Sequence, residues 1–222
     1  MGKINDFFKK TRNFIICFIL MVAGSVGSAL IVHYNWPSRY AGDYAYEVFR
    51  DRTELHYYDA KNDLVQAVDN YIDSIAPNSC LNGLRLVEIC DEYNFDIKFA
   101  LAQGQLESHF GTEGIAAKTN MVWNVKAYDG KSAEAIIKDG DGKPHPDESI
   151  EPYIQCLYKT YLVNGKTEKD MFIKFVDVNG KRYASNPNYE DSLLHIYDRI
   201  EKETQLNELI NKFNKYKIIC GK

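Results

Sequence analysis

Hydrophobic positions recur at helical spacing along most of this 222-residue chain. Leu64, Val65, Val68, Tyr71, Ile72 and Ile75 fall on one face until Pro77 stops the run, which predicts a helix over residues 63–75. Leu84, Val87 and Ile89 or Cys90 predict a second helix over 83–93. A third run opens on Asp96 as a cap. It carries Ile97, Ala100, Leu101 and Gly104 on one face and Phe99, Ala102, Leu106 and Phe110 on another. Such a helix is buried over most of its circumference, and Gly111 is placed to end it. After Pro146, Asp147-Glu148-Ser149 reads as a helix entry, and Tyr153, Ile154, Leu157, Tyr158, Tyr161 and Leu162 form the stripe that follows. Residues 171–178 are expected to pack near it, and 189–209 to form one or two closing helices. Asp139-Gly140-Asp141-Gly142 predicts the tip of a β-hairpin; its spacing is wrong for a calcium loop. The pattern predicts a mostly α chain with one small β-hairpin and no internal repeat.

Charge divides the chain unevenly. Residues 1–13 hold Lys3, Lys9, Lys10 and Arg12 against Asp6, a net of +3 within a total of −4, so the remainder carries −7. An acidic body argues against nucleic acid as a partner. The run from Phe14 to Val32 has no charge and approaches the length that crosses a bilayer. Basic residues before it place the N-terminus in the cytoplasm and the rest on the extracytoplasmic, periplasmic side of the inner membrane, as a single-pass anchor. A cleaved signal peptide is the alternative, with Gly27 and Ala29 as small residues before the cut. The expected organisation is thus a basic N-terminus (1–13), a membrane span (14–32), a tether with no sustained period (33–62) and a folded domain (63–222). Cys80, Cys90, Cys156 and Cys220 would lie on the exported side, as two disulfides or as free thiols.

The apolar third helix ends near one carboxylate, Glu107. In the last turn of a helix, unpaired carbonyls disfavour a negative charge, and apolar surroundings also favour the protonated acid. A glycosidase needs such a group as its proton donor; a surface Glu on an amphipathic helix is the plainer alternative. The neighbouring Ser108 and His109 point away from each other on a helix and have no third partner, which argues against a Ser-His triad.

Four blocks resemble glycoside hydrolase family 73, the glucosaminidase domain of bacterial autolysins and phage lysins. Ala102-Gln103-x-x-Leu106-Glu107-Ser108-x-x-Gly111-Thr112 is similar to the family's signature helix. Tyr71-Ile72-Asp73-Ser74-Ile75-Ala76-Pro77 looks like its opening helix. Asn120-Met121-Val122-Trp123-Asn124-Val125-Lys126 looks like the segment that enters its substrate cleft, with Asn124 where the family usually has Gly. Arg182-Tyr183-Ala184-Ser185-Asn186-Pro187-Asn188-Tyr189 is similar to its Tyr-Ala-Thr-Asp-Pro-x-Tyr motif.

The resemblance implies a lysozyme-like α+β domain that hydrolyses peptidoglycan glycan strands between GlcNAc and MurNAc, with no metal or organic cofactor. Glu107 is carried over as the catalytic acid and Tyr183 as its neighbour in the cleft. Asn120, Trp123, Asn124 and Tyr128 are candidates for substrate binding, with Trp123 equally at home in a core. A second acid would come from 127–147, where Asp129, Glu134, Asp139 and Asp141 fall in no recognisable motif. A muramidase or lytic transglycosylase of the same superfamily, or a non-catalytic wall-binding morphogenesis protein, is the alternative. The weakly hydrophobic stretch 23–29 resembles the signal-arrest-release segments of some phage lysins; small residues that pack against another helix are the plainer reading.

Overall fold

A computed structural model describes residues 38–125, 144–174, 177–178 and 181–222. The chain divides into two compact units, Met1–Arg52 and Thr53–Lys222. The described part of the first, 38–52, is helical and belongs to the long helix α1, Ser38–Ile75. Within the second unit α1 buries Tyr57, Ala60, Leu64, Val68, Tyr71 and Ile72, a stripe at the three-to-four spacing of a helix face.

Asn82 caps α2, Gly83–Glu92, by accepting from the Arg85 N–H at 3.2 Å. The Gly83 N–H donates to Asp69 Oδ1 at 2.7 Å, and a Cβ there would stand 2.3 Å from that oxygen. Only glycine lets α2 begin this close to α1. Helix α3, Ile97–Ser108, runs through the centre with every residue from Ile97 to Gln105 buried. A short α4, Ala116–Thr119, follows. A 3-10 turn at Pro146–Ser149 leads into α5, Ile150–Thr160, and a second at Glu168–Phe172 precedes the end of the chain. Helix α6, Tyr189–Thr204, lies along α3, and α7, Leu206–Ile219, closes the unit. Phe95 joins α3 to α5 through edge-to-face contacts with Phe99 (5.8 Å) and Tyr153 (5.7 Å).

The expected α+β, lysozyme-like class behind a membrane helix needs correction. The regular structure among the described residues is helical apart from two two-residue segments, Asp177–Val178 and Lys181–Arg182, which pair antiparallel and form no larger sheet. The hairpin expected at Asp139–Gly142 lies outside the described residues. Among those described, no helix is long and apolar enough to cross a membrane; α1 has the length, but its charged residues run throughout. The 14–32 run itself lies outside the described residues. The stretch expected as an irregular tether differs too, because its residues from Ser38 onward are helical. Cys80, Cys90, Cys156 and Cys220 are free thiols, with Cys90 buried and Cys80 exposed.

Candidate active site

Asp96 fixes the start of α3, accepting from the Lys98 and Phe99 N–H groups at 2.9 and 3.3 Å and from the Tyr197 hydroxyl at 2.7 Å. The other end stops earlier than Gly111. His109 takes the left-handed conformation (φ 45°, ψ 57°) and donates its N–H to Gln105 O, while Phe110 N–H reaches back to Gly104 O at 3.1 Å. Phe110 is left-handed as well (φ 53°), so two successive residues turn the chain and bond to carbonyls four and six residues back. The buried Phe110 ring, edge-on to Tyr71 at 6.3 Å, anchors it. Glu107 therefore sits one residue from the helix end, half-buried, where the chain emerges from the core.

Two side chains hold the Glu107 carboxyl. The Tyr189 hydroxyl, at the first residue of α6, donates to Oε1 at 2.7 Å. Asn124 Nδ2 donates to the Glu107 backbone carbonyl at 3.0 Å and lies 3.4 Å from Oε2. Burial pushes the Glu107 carboxyl above the usual carboxylate range, against these two hydrogen bonds, which pull it down. Burial wins, so the group retains its proton to higher pH than a solvated Glu. Tyr183 packs its ring on Tyr189 (5.3 Å) and edge-on to Tyr161 (4.8 Å). Burial, then the nearby Glu107 charge, drives its phenol well above the ordinary range.

Behind Tyr189 lies a row of buried polar groups. Gln103 Nε2 donates to the Tyr189 oxygen at 2.9 Å, and the Tyr153 hydroxyl donates to Gln103 Oε1 at 2.5 Å. Gln103 precedes Glu107 by four residues and so shares its helix face. The Trp123 ring stacks on Tyr153 at 4.7 Å and 10°, with Nε1 donating to Ala100 O at 3.0 Å.

Of the residues expected at the site, the structure brings Glu107, Asn124 and Tyr183 together. Asn124 adopts φ 53°, the left-handed turn that Asn tolerates. Trp123 is buried in the core at 2 % exposure, behind the site rather than open to a sugar face. Asn120 turns the chain at φ 60° and gives Nδ2 to Pro144 O at 2.8 Å. Tyr128 and the candidate second acids lie outside the described residues. Tyr189, Gln103 and Tyr153 were not among the expected site residues. Gln103 and Tyr189 stand inside the motif blocks, and the four-residue spacing of Gln103 and Glu107 was the available signal. Ser108 is no nucleophile: its hydroxyl donates to Val122 O at 2.6 Å and accepts from Gly111 N–H at 2.8 Å. Among the described residues no group of three or more His, Cys, Asp or Glu side chains is arranged to hold a metal ion.

The family model described as glucosaminidase, mannosyl-glycoprotein endo-beta-N-acetylglucosaminidase, matches residues 85–202. That is more than half of the chain, and it contains Glu107, Asn124, Tyr183 and Tyr189. No curated protein and no solved structure matches. The chain belongs to the glucosaminidase family and is a glycoside hydrolase, an endo-β-N-acetylglucosaminidase of peptidoglycan.

Proposed function

We propose that Glu107 is the proton donor in this hydrolysis and that the bond cut joins GlcNAc to MurNAc. The observation that carries the reading is the Glu107 carboxyl itself. It is half-buried at the end of an apolar helix, raised toward its protonated form by burial, and aimed by Tyr189 at 2.7 Å and Asn124 at 3.4 Å. A general acid works best when its pKa lies near the working pH. As the glycosidic C–O bond breaks, the leaving oxygen keeps the bonding pair and takes the Glu107 proton. The hydrogen bonds from Tyr189 and Asn124 then stabilise the carboxylate left behind.

The other half of the reaction has two routes. The substrate's N-acetyl oxygen attacks the anomeric carbon, with retention, or a carboxylate among Asp129, Glu134, Asp139 and Asp141 activates water, with inversion. The anomeric form of the first product, read by proton NMR, separates them. The enzyme acts outside the cytoplasm, on the wall side of the inner membrane. The uncharged run 14–32 behind four basic residues supports export.

Borohydride reduction of a peptidoglycan digest, followed by mass spectrometry, tests the bond. A glucosaminidase leaves GlcNAc at the new reducing end, so reduced glucosaminitol is expected in the fragments. Reduced muramic acid, or anhydro-MurNAc with no reducing end, contradicts the reading.

A further inference from the structure

The carboxyl of Glu107 terminates a directed row of hydrogen bonds, and the direction has a chemical consequence. Tyr153 and Gln103 are buried at 1 % and 0 % exposure, so neither exchanges its partner for water. A phenol has one proton to give. Tyr153 gives its proton to Gln103 Oε1 at 2.5 Å, which fixes the amide with its nitrogen toward Tyr189. Gln103 Nε2 occupies the Tyr189 oxygen from one side at 2.9 Å. The Tyr189 proton then points at the remaining acceptor, Glu107 Oε1, at 2.7 Å. Turning the amide over would set its N–H against the Tyr153 hydroxyl and leave that hydroxyl's own proton without its acceptor, a costly state for a buried donor.

We infer that Gln103 and Tyr153 are positioning residues for the proton donor: they commit the Tyr189 proton to Glu107 Oε1 and leave Oε2 as the atom that holds the transferable proton. The inference rests on Glu107 as the acid. Oε2 is the oxygen beside Asn124. When Oε2 loses its proton to the glycosidic oxygen, the Tyr189 bond to Oε1 becomes charge-assisted and strengthens, which lowers the barrier rather than merely holding the ground state. Among the described residues, the ionisable groups that face Glu107 are phenols: Tyr189 from α6, Tyr183 just before it and Tyr153 from α5. All three are raised well above the ordinary phenol range, chiefly by burial, and so add no charge beside the carboxyl as it titrates. The neutral Asn124 amide faces it from the remaining side.

Tyr153→Phe tests this, because it keeps the ring stacked on Trp123 and deletes only the anchoring hydroxyl. The freed Gln103 carbonyl turns to Tyr189 and takes its proton, so Glu107 loses a donor that favours the carboxylate. Its pKa rises further. The alkaline limb of kcat, where the acid loses its proton, then moves up by about one pH unit, since a hydrogen bond to a charged group is worth roughly that. With the proton free to sit on either oxygen, kcat falls several-fold at unchanged KM. Titration of the Glu107 carboxyl by 13C NMR, assigned with Glu107→Gln, should move the same way. Gln103→Met is the second variant, and adding Tyr153→Phe to it should produce no further shift, because Tyr153 acts only through that amide. An unmoved alkaline limb and titration in folded Tyr153→Phe overturns the relay while leaving Glu107 as the acid. Loss of kcat with an unmoved pH profile does the same and returns both residues to packing. An active Glu107→Gln overturns the acid assignment instead, and the relay with it.

Discussion

Ser108 sits beside the acid, and the structure makes it a splice between two backbone segments. Its buried hydroxyl donates to Val122 O at 2.6 Å and accepts from Gly111 N–H at 2.8 Å. Those two bonds tie the turn that ends α3 to the loop that carries Trp123 and Asn124. Ser108→Ala strips both at once. Val122 is wholly buried, so its carbonyl cannot recover the lost donor from water, while the Gly111 amide is only partly covered. A buried group left unpaired costs about 1–3 kcal/mol, which puts the pair near 2–4 kcal/mol. For a chain of this size each kcal/mol lowers Tm by about 2–4 °C, so a drop of about 5–15 °C is expected. Circular dichroism melts measure it, and digestion rates taken well below the lowered Tm show whether chemistry survives. The splice reading expects a large fall in Tm with residual activity. An unchanged Tm together with complete loss of activity refutes it and gives Ser108 a part in the chemistry.

Two further variants probe the same helix. A Cβ on Gly104 would come within 3.2 Å of Phe110 Cδ1 and Trp123 Nε1, both on buried rings. Gly104→Ala should lower the unfolding free energy by about 1–2 kcal/mol, read as a lower denaturant midpoint, even though alanine is the better helix former by about 1 kcal/mol; a raised midpoint contradicts the close approach. The pH dependence of stability follows from the raised Glu107 carboxyl. Below the unfolded value of about 4.3 both states hold the proton and the residue costs nothing. As pH rises toward the folded value, the unfolded chain releases its proton first and the folded state loses stability. Glu107→Gln cannot ionise, so its stability relative to the parent should grow between pH 4 and 7, as urea titrations would show. A gap that is flat or shrinks over that range means the carboxyl is not raised.

The helices around the acid were legible because burial imposes a period. Ile97, Ala100, Leu101 and Gly104 alternate with Phe99, Ala102 and Leu106 only in a helix packed on nearly every side, and Asp96 caps it as its position implies. Its left-handed stop falls at His109, two residues before Gly111. Gly111 was the obvious stop, but the chain turns at His109 and Phe110, both left-handed, with the Phe110 ring buried. The N-terminal half of α1 was hidden for the opposite reason. Tyr46, Phe49, Leu55 and Tyr58 are exposed, so they mask the buried Tyr57 and Ala60, which extend the Leu64 and Val68 stripe toward the N-terminus, among aromatic residues with no period. At the site, motif wording pointed to Tyr183, while hydrogen-bond geometry singles out Tyr189, six residues on in the same block. Which of two tyrosines reaches a carboxyl depends on how α6 lies against α3, and no local spacing encodes that. Trp123 was ambiguous because an indole suits a sugar face and a core equally; its partner Tyr153 is 30 residues away and outside any motif.

The account stands on Glu107 as the proton donor, and the rate of peptidoglycan digestion by Glu107→Gln tests it most directly. The variant keeps the shape of the side chain and an oxygen for the Tyr189 hydroxyl, and it has no proton of carboxyl acidity to give. General acid catalysis is worth about 100-fold or more, so a loss of at least that size is predicted in protein whose circular dichroism matches the parent and whose melting temperature is equal or higher. Retention of more than about a tenth of the parent rate would contradict it.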